Sequence, residues 1–269
     1  MRRVSVFARL SALSLLMWSV TGQAGIRTET IDYMVDGQQF TGFLAYDEAL
    51  SGERPGILVV HEWWGHNGFA RERAVALAEL GYTAFALDMY GTGKLAEHPD
   101  DAMAFMQAAM GSMDAAEARF RAAMALLQDH PTVDSHRIAA QGYCFGGAVV
   151  LNMARRGVEL DGVVSLHGSL GTDIAVEPGV ITARVQVYTG GADPMVPPQQ
   201  VARFVEEMQT AGVNFELISY ANVLHSFTNP EADRIHEEFG FPTRYDPRAD
   251  KASWEGVQAF YRELFPQPR

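Results

Sequence analysis

The 269-residue chain holds one cysteine, Cys144, and two lysines, Lys94 and Lys251. A lone cysteine excludes an internal disulfide, so the fold must stand on its apolar core. Cations are scarce, with 21 basic against 33 acidic residues and a formal charge of −12. That balance excludes the positive field on which nucleic-acid binding depends, so no nucleic-acid partner is expected. Internal repeats and low-complexity tracts are missing. Past residue 24 there is no apolar run near the ~20 residues needed to span a bilayer. What is present is a globular composition, 48% hydrophobic and 20% charged, in a length that suits one large α/β unit.

Residues 1–24 read as a secretory signal peptide. Arg2, Arg3 and Arg9 lead into an apolar run from Leu10 to Val20, and Gly22 and Ala24 place small side chains where a signal peptidase reads. The run is shorter than a membrane span, which favours cleavage over an uncleaved anchor. Cleavage would leave residues 25–269 as a single domain, free of stable membrane attachment, in the periplasm or outside the cell. Removing three arginines leaves that remainder still more acidic. An unpaired thiol in an oxidising compartment is a liability, so Cys144 needs a reason to be there.

Periodicity predicts an antiparallel hairpin, 28–35 with 38–46, turned at Asp36-Gly37. Apolar runs of strand length follow at 56–61, 82–88, 137–142, 162–167, 185–189 and 215–220. They alternate with helical stretches near 68–80, 100–128, 146–156, 198–211 and 251–265. The alternation implies a mostly parallel sheet of about eight strands with helices on both faces, and its chemistry belongs at the carboxyl ends of the strands. The longest irregular stretch expected is 229–250.

Cys144 lies in Gly142-Tyr143-Cys144-Phe145-Gly146-Gly147, directly after a strand and before a helix. A nucleophile on such a sharp turn crowds the residues two before and two after it, and Gly142 and Gly146 meet that demand. The helix starting near Phe145 aims its amides and positive end at the sulfur, which stabilises negative charge there. Without that context Cys144 would read as a small buried apolar filler. An acid and a base follow in the order such turns require. Asp193 comes after a strand through Gly190-Gly191-Ala192, too early to cap a helix beginning at Pro197-Pro198. His225 follows the last strand, where it could take a proton from the sulfur with Asp193 aligning it, or be a solvated loop histidine.

His61-Glu62-Trp63-Trp64-Gly65-His66 suggests a zinc motif but lacks its geometry. The histidines are five apart at a strand end, whereas zinc-protease ligands are four apart on a helix, so no metal is assigned. The loop suits electrostatics better: the amides of Trp63 and Phe145 are placed to form a two-donor oxyanion hole. Glu62 is either a solvated carboxylate or a group that faces the thiol and exchanges a proton with it.

Together with Asp88-Met89-Tyr90-Gly91, Gly191-Ala192-Asp193-Pro194, His225-Ser226-Phe227 and Trp254, these segments resemble the dienelactone hydrolases, a cysteine branch of the α/β-hydrolase fold. The likeness spans nearly all of residues 25–269. It implies Cys144 as nucleophile, Asp193 and His225 as its partners, Glu62 as the carboxylate receiving the thiol proton when substrate binds, and cleavage of esters or lactones without metal or cofactor. The named enzymes hold the dienelactone carboxylate with two arginines and are intracellular. Thr92 and Asn229 stand at those two positions here, with Lys94 and Arg234 only nearby in sequence. Trp64, Tyr90, Phe227 and Asn229 are expected to line the substrate pocket. The aromatic groups there favour a small neutral or partly apolar ester, thioester or lactone, split through an acyl-thioester on Cys144. The alternative is a non-catalytic small-molecule binding protein. Thiol redox work is weakened by the lack of a second cysteine.

Overall fold

The structure, a computed structural model, describes residues 25–266, so the expected signal peptide lies outside the described residues. In chain order the elements are β1 (Ile26–Val35), β2 (Gln38–Asp47), β3 (Arg54–Val60), α1 (Gly68–Glu79), β4 (Thr83–Leu87), α2 (Pro99–Met110), α3 (Met113–Gln128) and β5 (Val133–Tyr143). There follow α4 (Phe145–Arg155), β6 (Gly162–Leu166), β7 (Arg184–Gly190), α5 (Pro198–Thr210), β8 (Phe215–Tyr220), α6 (Ala232–Phe239) and α7 (Pro247–Leu264).

All eight strands form one sheet in the order β1-β2-β4-β3-β5-β6-β7-β8. β1 and β2 pair antiparallel from Ile26↔Asp47 to Val35↔Gln38, and Asp36 and Gly37 both take positive φ, the turn whose twist suits a two-residue hairpin. β2 also runs antiparallel to β4, and β3 to β8 are parallel. Every residue of β3 is buried, because helices cover both faces. Leu58 and Val60 pack with Phe120, Val149 and Phe204 from α3, α4 and α5. Ile57 and Val59, pointing the other way, pack with Leu77 of α1 and Val257 and Phe260 of α7.

Three boundaries differ from the periodicity. The helical stretch expected over 100–128 is two helices, because Gly111 ends the first and the Ser112 hydroxyl caps the second, accepting from the Ala115 N–H at 3.3 Å. The stretch expected to be irregular, 229–250, contains α6, closed by Gly240 at φ 73°. α7 begins before residue 251, since Asp246 accepts from the Arg248 and Ala249 amides ahead of Pro247 at the first turn. No helix among the described residues is long and apolar enough to cross a membrane.

Candidate active site

β5 hands the chain to α4 through Cys144 alone, which sits at φ 51°, ψ −113°, a strained conformation for any residue with a side chain. Its neighbours leave no choice of residue. A Cβ on Gly142 would lie 2.0 Å from the Gly146 carbonyl oxygen, and one on Gly146 would lie 2.3 Å from that of Val60. The Cys144 amide is held twice, by the Leu166 carbonyl at 3.0 Å and by His167 Nδ1 at 3.1 Å.

Two loops at the same end of the sheet bring His225 and Asp193 together. The buried His225 donates from Nδ1 to Asp193 Oδ2 at 2.7 Å, and Asp193 Oδ1 accepts the Met195 amide at 2.8 Å. Nε2 of His225 is buried without a hydrogen-bond partner, and His225 and Cys144 line one cavity. Burial works to lower the pKa of His225, but the Cys144 charge and the Asp193 hydrogen bond outweigh it and push the value up to about 10. The amides of Trp63 and Phe145 have no acceptor among the described residues, and Phe145 is the first residue of α4, where no intrahelical partner exists.

Glu62 is buried behind this pair. One carboxylate oxygen accepts from the Ser226 hydroxyl at 2.9 Å and the other from the Asn229 side-chain amide. Desolvation pushes its pKa up, while those two donors and the His225 and Arg73 charges pull the other way. Both oxygens are thus engaged away from Cys144. His61 is equally buried, its ring donating to the Glu62 carbonyl and accepting the Met89 amide at 3.1 Å, so it ties the end of β3 to the end of β4.

The cavity in front of Cys144 measures about 440 Å³. Its walls are Trp63, Phe145, Ala148, Val196 and Phe241 together with four methionines, Met103, Met106 and Met110 of α2 and Met195 ahead of α5. Gln107 and Ser169 add polar groups, and no lysine, arginine, aspartate or glutamate lines it.

None of the four residues expected in the pocket lines this cavity. Trp64 packs on Phe239 and, with Asn229, borders a separate cavity. The Tyr90 ring is sandwiched by His61 and Phe145 while its hydroxyl donates to the Trp63 carbonyl. Phe227 is fully buried, edge-on to His167. The true wall comes from α2, far off in sequence. Its only local signal was the Met103, Met106, Met110 spacing on one helical face. Sequence reasoning also missed His167. Of the positions departing from the two arginines, Thr92 bonds to Thr41 beside the hairpin and Asn229 holds Glu62. Arg234 is tied to Glu231 and Glu238 at the surface.

The stretch after α6 is stitched to the His225 loop. The His225 amide donates to the Pro242 carbonyl, the Arg244 amide to the His225 carbonyl and the Asp246 amide to the Phe227 carbonyl. Phe241 rests edge-on against Trp63 with ring centres 5.1 Å apart.

Strand order, elbow and the two loop residues define an α/β hydrolase. Within that class the chain belongs to the dienelactone hydrolase family, whose sequence model matches residues 40–265. A dienelactone hydrolase-like promiscuous phosphotriesterase from metagenomic libraries is similar, with 32% identity and a TM-score of 0.82 over 89% of this chain and 99% of that one. The structure named m3DLH is 35% identical with a TM-score of 0.84 at the same coverage. An Aquifex aeolicus protein carrying the provisional name carboxymethylenebutenolidase is 23% identical over 239 residues, 87% of this chain and 97% of its own. The protein is a hydrolase of the ester and lactone type.

Proposed function

We propose that the protein cleaves a small, neutral ester, thioester or lactone by covalent catalysis on Cys144. The Cys144 sulfur attacks the substrate carbonyl, the amides of Trp63 and Phe145 hold the oxyanion, and His225 Nε2 delivers a proton to the leaving oxygen or sulfur. The acyl-thioester then falls to a water whose proton passes to His225, while Asp193 keeps the imidazole oriented throughout. Glu62 is the second acceptor for the thiol proton, a role that requires its carboxyl to leave Ser226 or Asn229 as substrate enters.

The observation that carries this reading is the buried His225, bonded to Asp193 through Nδ1, with its ring on the cavity that Cys144 shares. Apart from the His225–Cys144 pair the cavity carries no charged side chain, which supports a neutral substrate, since a carboxylate would be desolvated there with no lysine or arginine to receive it. Purified protein should be offered neutral esters, thioesters, lactones and a neutral phosphotriester, beside Cys144→Ala. Turnover by wild type and none by the folded variant is expected. Turnover surviving in Cys144→Ala, or binding without turnover in wild type, would remove the covalent reading. We also infer export from the basic and apolar start of the chain. N-terminal sequencing of protein recovered outside the cytoplasm should find Gly25, whereas a full-length chain held in the membrane would point to an anchor.

A further inference from the structure

The hydrolytic scheme leaves one buried histidine of the site, His167, without a part. It follows β6, is fully buried, and takes φ 42°, a left-handed conformation that residues with a Cβ seldom adopt. Its own amide continues the sheet ladder to the Tyr188 carbonyl at 2.8 Å. Its ring lies between the elbow and the His225 loop. Nδ1 is 3.1 Å from the Cys144 amide nitrogen, and Nε2 is 2.8 Å from the Thr228 hydroxyl. The ring centre is 5.1 Å from that of Phe227 and 5.4 Å from that of His225.

The tautomer follows from the partners. A backbone amide can only donate, so Nδ1 carries no proton, and a neutral ring must then donate from Nε2 to Thr228. Burial holds His167 well below the ordinary histidine range, and the charges of His225 and Arg73 add to that. Thr228 is anchored in turn. Arg73 donates to its carbonyl at 2.7 Å and to Asp250 at 3.2 Å, with its guanidinium 4.9 Å from the centre of the Phe69 ring.

An ordinary residue after a strand would need only the ladder bond to Leu166. Cys144 has a second acceptor, and with two the direction of its N–H is fixed, hence the peptide plane, hence the direction in which its side chain leaves the backbone. We propose that His167 is a positioning residue for Cys144: its unprotonated Nδ1 holds the strained elbow so that the sulfur points at His225, and Thr228 with Arg73 keeps Nδ1 the acceptor. Other side chains serve less well there. A carboxylate would set a like charge beside the Cys144 sulfur, and a lysine offers no acceptor. The assignment rests on Cys144 being the nucleophile.

Four variants test it. His167→Asn puts an oxygen near the place of Nδ1 and tolerates positive φ, whereas His167→Gln reaches Thr228 but leaves the Cys144 amide with Leu166 alone. Thr228→Val removes the acceptor of Nε2–H and frees the tautomer, and Thr228→Ser restores it. Each is read by ester kinetics, by melting temperature, and by the rate at which iodoacetamide labels Cys144 across pH, followed by mass spectrometry. His167→Asn and Thr228→Ser should stay within about threefold of wild type in kcat. His167→Gln and Thr228→Val should lose roughly tenfold or more with little change in KM, and their labelling profiles should shift with pH, because a small displacement of a reacting atom is costly.

Equal behaviour of Asn with Gln and of Ser with Val, or losses that merely follow the melting temperature, would overturn it. If the His167 variants do not fold, the Thr228 pair decides alone. Labelling reads the placement of the sulfur without any turnover, so activity surviving in Cys144→Ala would strike the nucleophile assignment and leave the positioning result standing.

Discussion

Behind Cys144 the side chains of Glu62, His167, Ser226, Thr228 and Asn229 are all buried and all hydrogen-bonded, most of them to one another or to the elbow. In front of it four methionine thioethers, one tryptophan ring, two phenylalanine rings and an imidazole nitrogen face about 440 Å³ of space. The polar groups of the first region are satisfied by one another, so removing a partner leaves a buried group to be satisfied elsewhere. The second has many nearly equal packings, because an unbranched thioether rotates at little cost. On the proposed chemistry, the polar frame fixes where bonds would be made and broken, and the soft apolar front would receive whatever neutral group fits.

Breaking the frame should give the largest effect. His225→Ala and Cys144→Ala should each reduce kcat by about 10⁴-fold, and the double variant should be scarcely worse than either, as for groups that act as one unit. Asp193→Ala should fall in the same series with a somewhat smaller loss. Steady-state rates on one chromogenic ester, with circular dichroism to confirm folding, check this. Multiplying losses would mean that the residues act separately.

Charge sharpens the contrast at the next level. A neutral ester should show kcat/KM roughly tenfold or more above a carboxylate analogue of equal size, at both low and high salt, because no lysine or arginine lines the cavity while charge-assisted bonds are worth ~1.5–3 kcal/mol. Met106→Arg should narrow or reverse that ratio. A wild-type preference for the carboxylate at both salt concentrations would show that an anchor lies elsewhere.

The frame also makes stability depend on pH. His225 is raised from 6.5 in the unfolded chain to about 10 in the folded one, so between those values the native state holds a proton that the unfolded state has released. The stabilisation is complete below pH 6.5 and is lost as pH rises towards 10. Melting temperatures should decline across that window. Asp193→Asn takes away one of the groups raising the pKa, so its decline should start at the same pH, end at a lower one and be smaller in total. Parallel curves for the two proteins would contradict the assignment.

The elbow and the two loop residues beside it were legible in the sequence as places in the fold, and the cavity walls were not, for a physical reason. Gly142, Gly146, Asp193 and His225 sit one to a few residues beyond strand ends, where sheet topology dictates their place. The pocket is made by tertiary approach: α2 swings its methionine face over the elbow, and Phe241 is delivered by a segment that looked irregular but is tied to the His225 loop. Asn229 shows the same limit at one residue. Its position in the sequence suggested substrate contact, whereas its amide is taken by Glu62. His167 escaped notice because nothing near it in sequence marks it, and its partners Cys144 and Thr228 come from two other loops.

The smallest effect expected lies in the soft front, and it bears directly on why that front is soft. Exchanging Met103, Met106 and Met110 for leucine keeps hydrophobicity and nearly keeps volume, so each change should cost less than about 1.5 kcal/mol of stability. Met103, already 41% exposed, should cost least. For a compact acyl group such as acetyl, kcat/KM should move by less than about threefold, since the frame around Cys144 is untouched and volume-conserving swaps are well tolerated. The spread across acyl groups of different shape should grow. A branched leucine has fewer ways to move aside than a thioether, so bulky or branched acyl groups should lose more than linear ones. The informative quantity is the ratio of the best to the worst substrate in a set of neutral esters, measured for wild type and the triple leucine variant. A wider ratio in the variant assigns the breadth of the pocket to methionine flexibility. An unchanged ratio would assign it to the open volume of the cavity instead, and the contrast between a hard back and a soft front would reduce to a contrast in polarity.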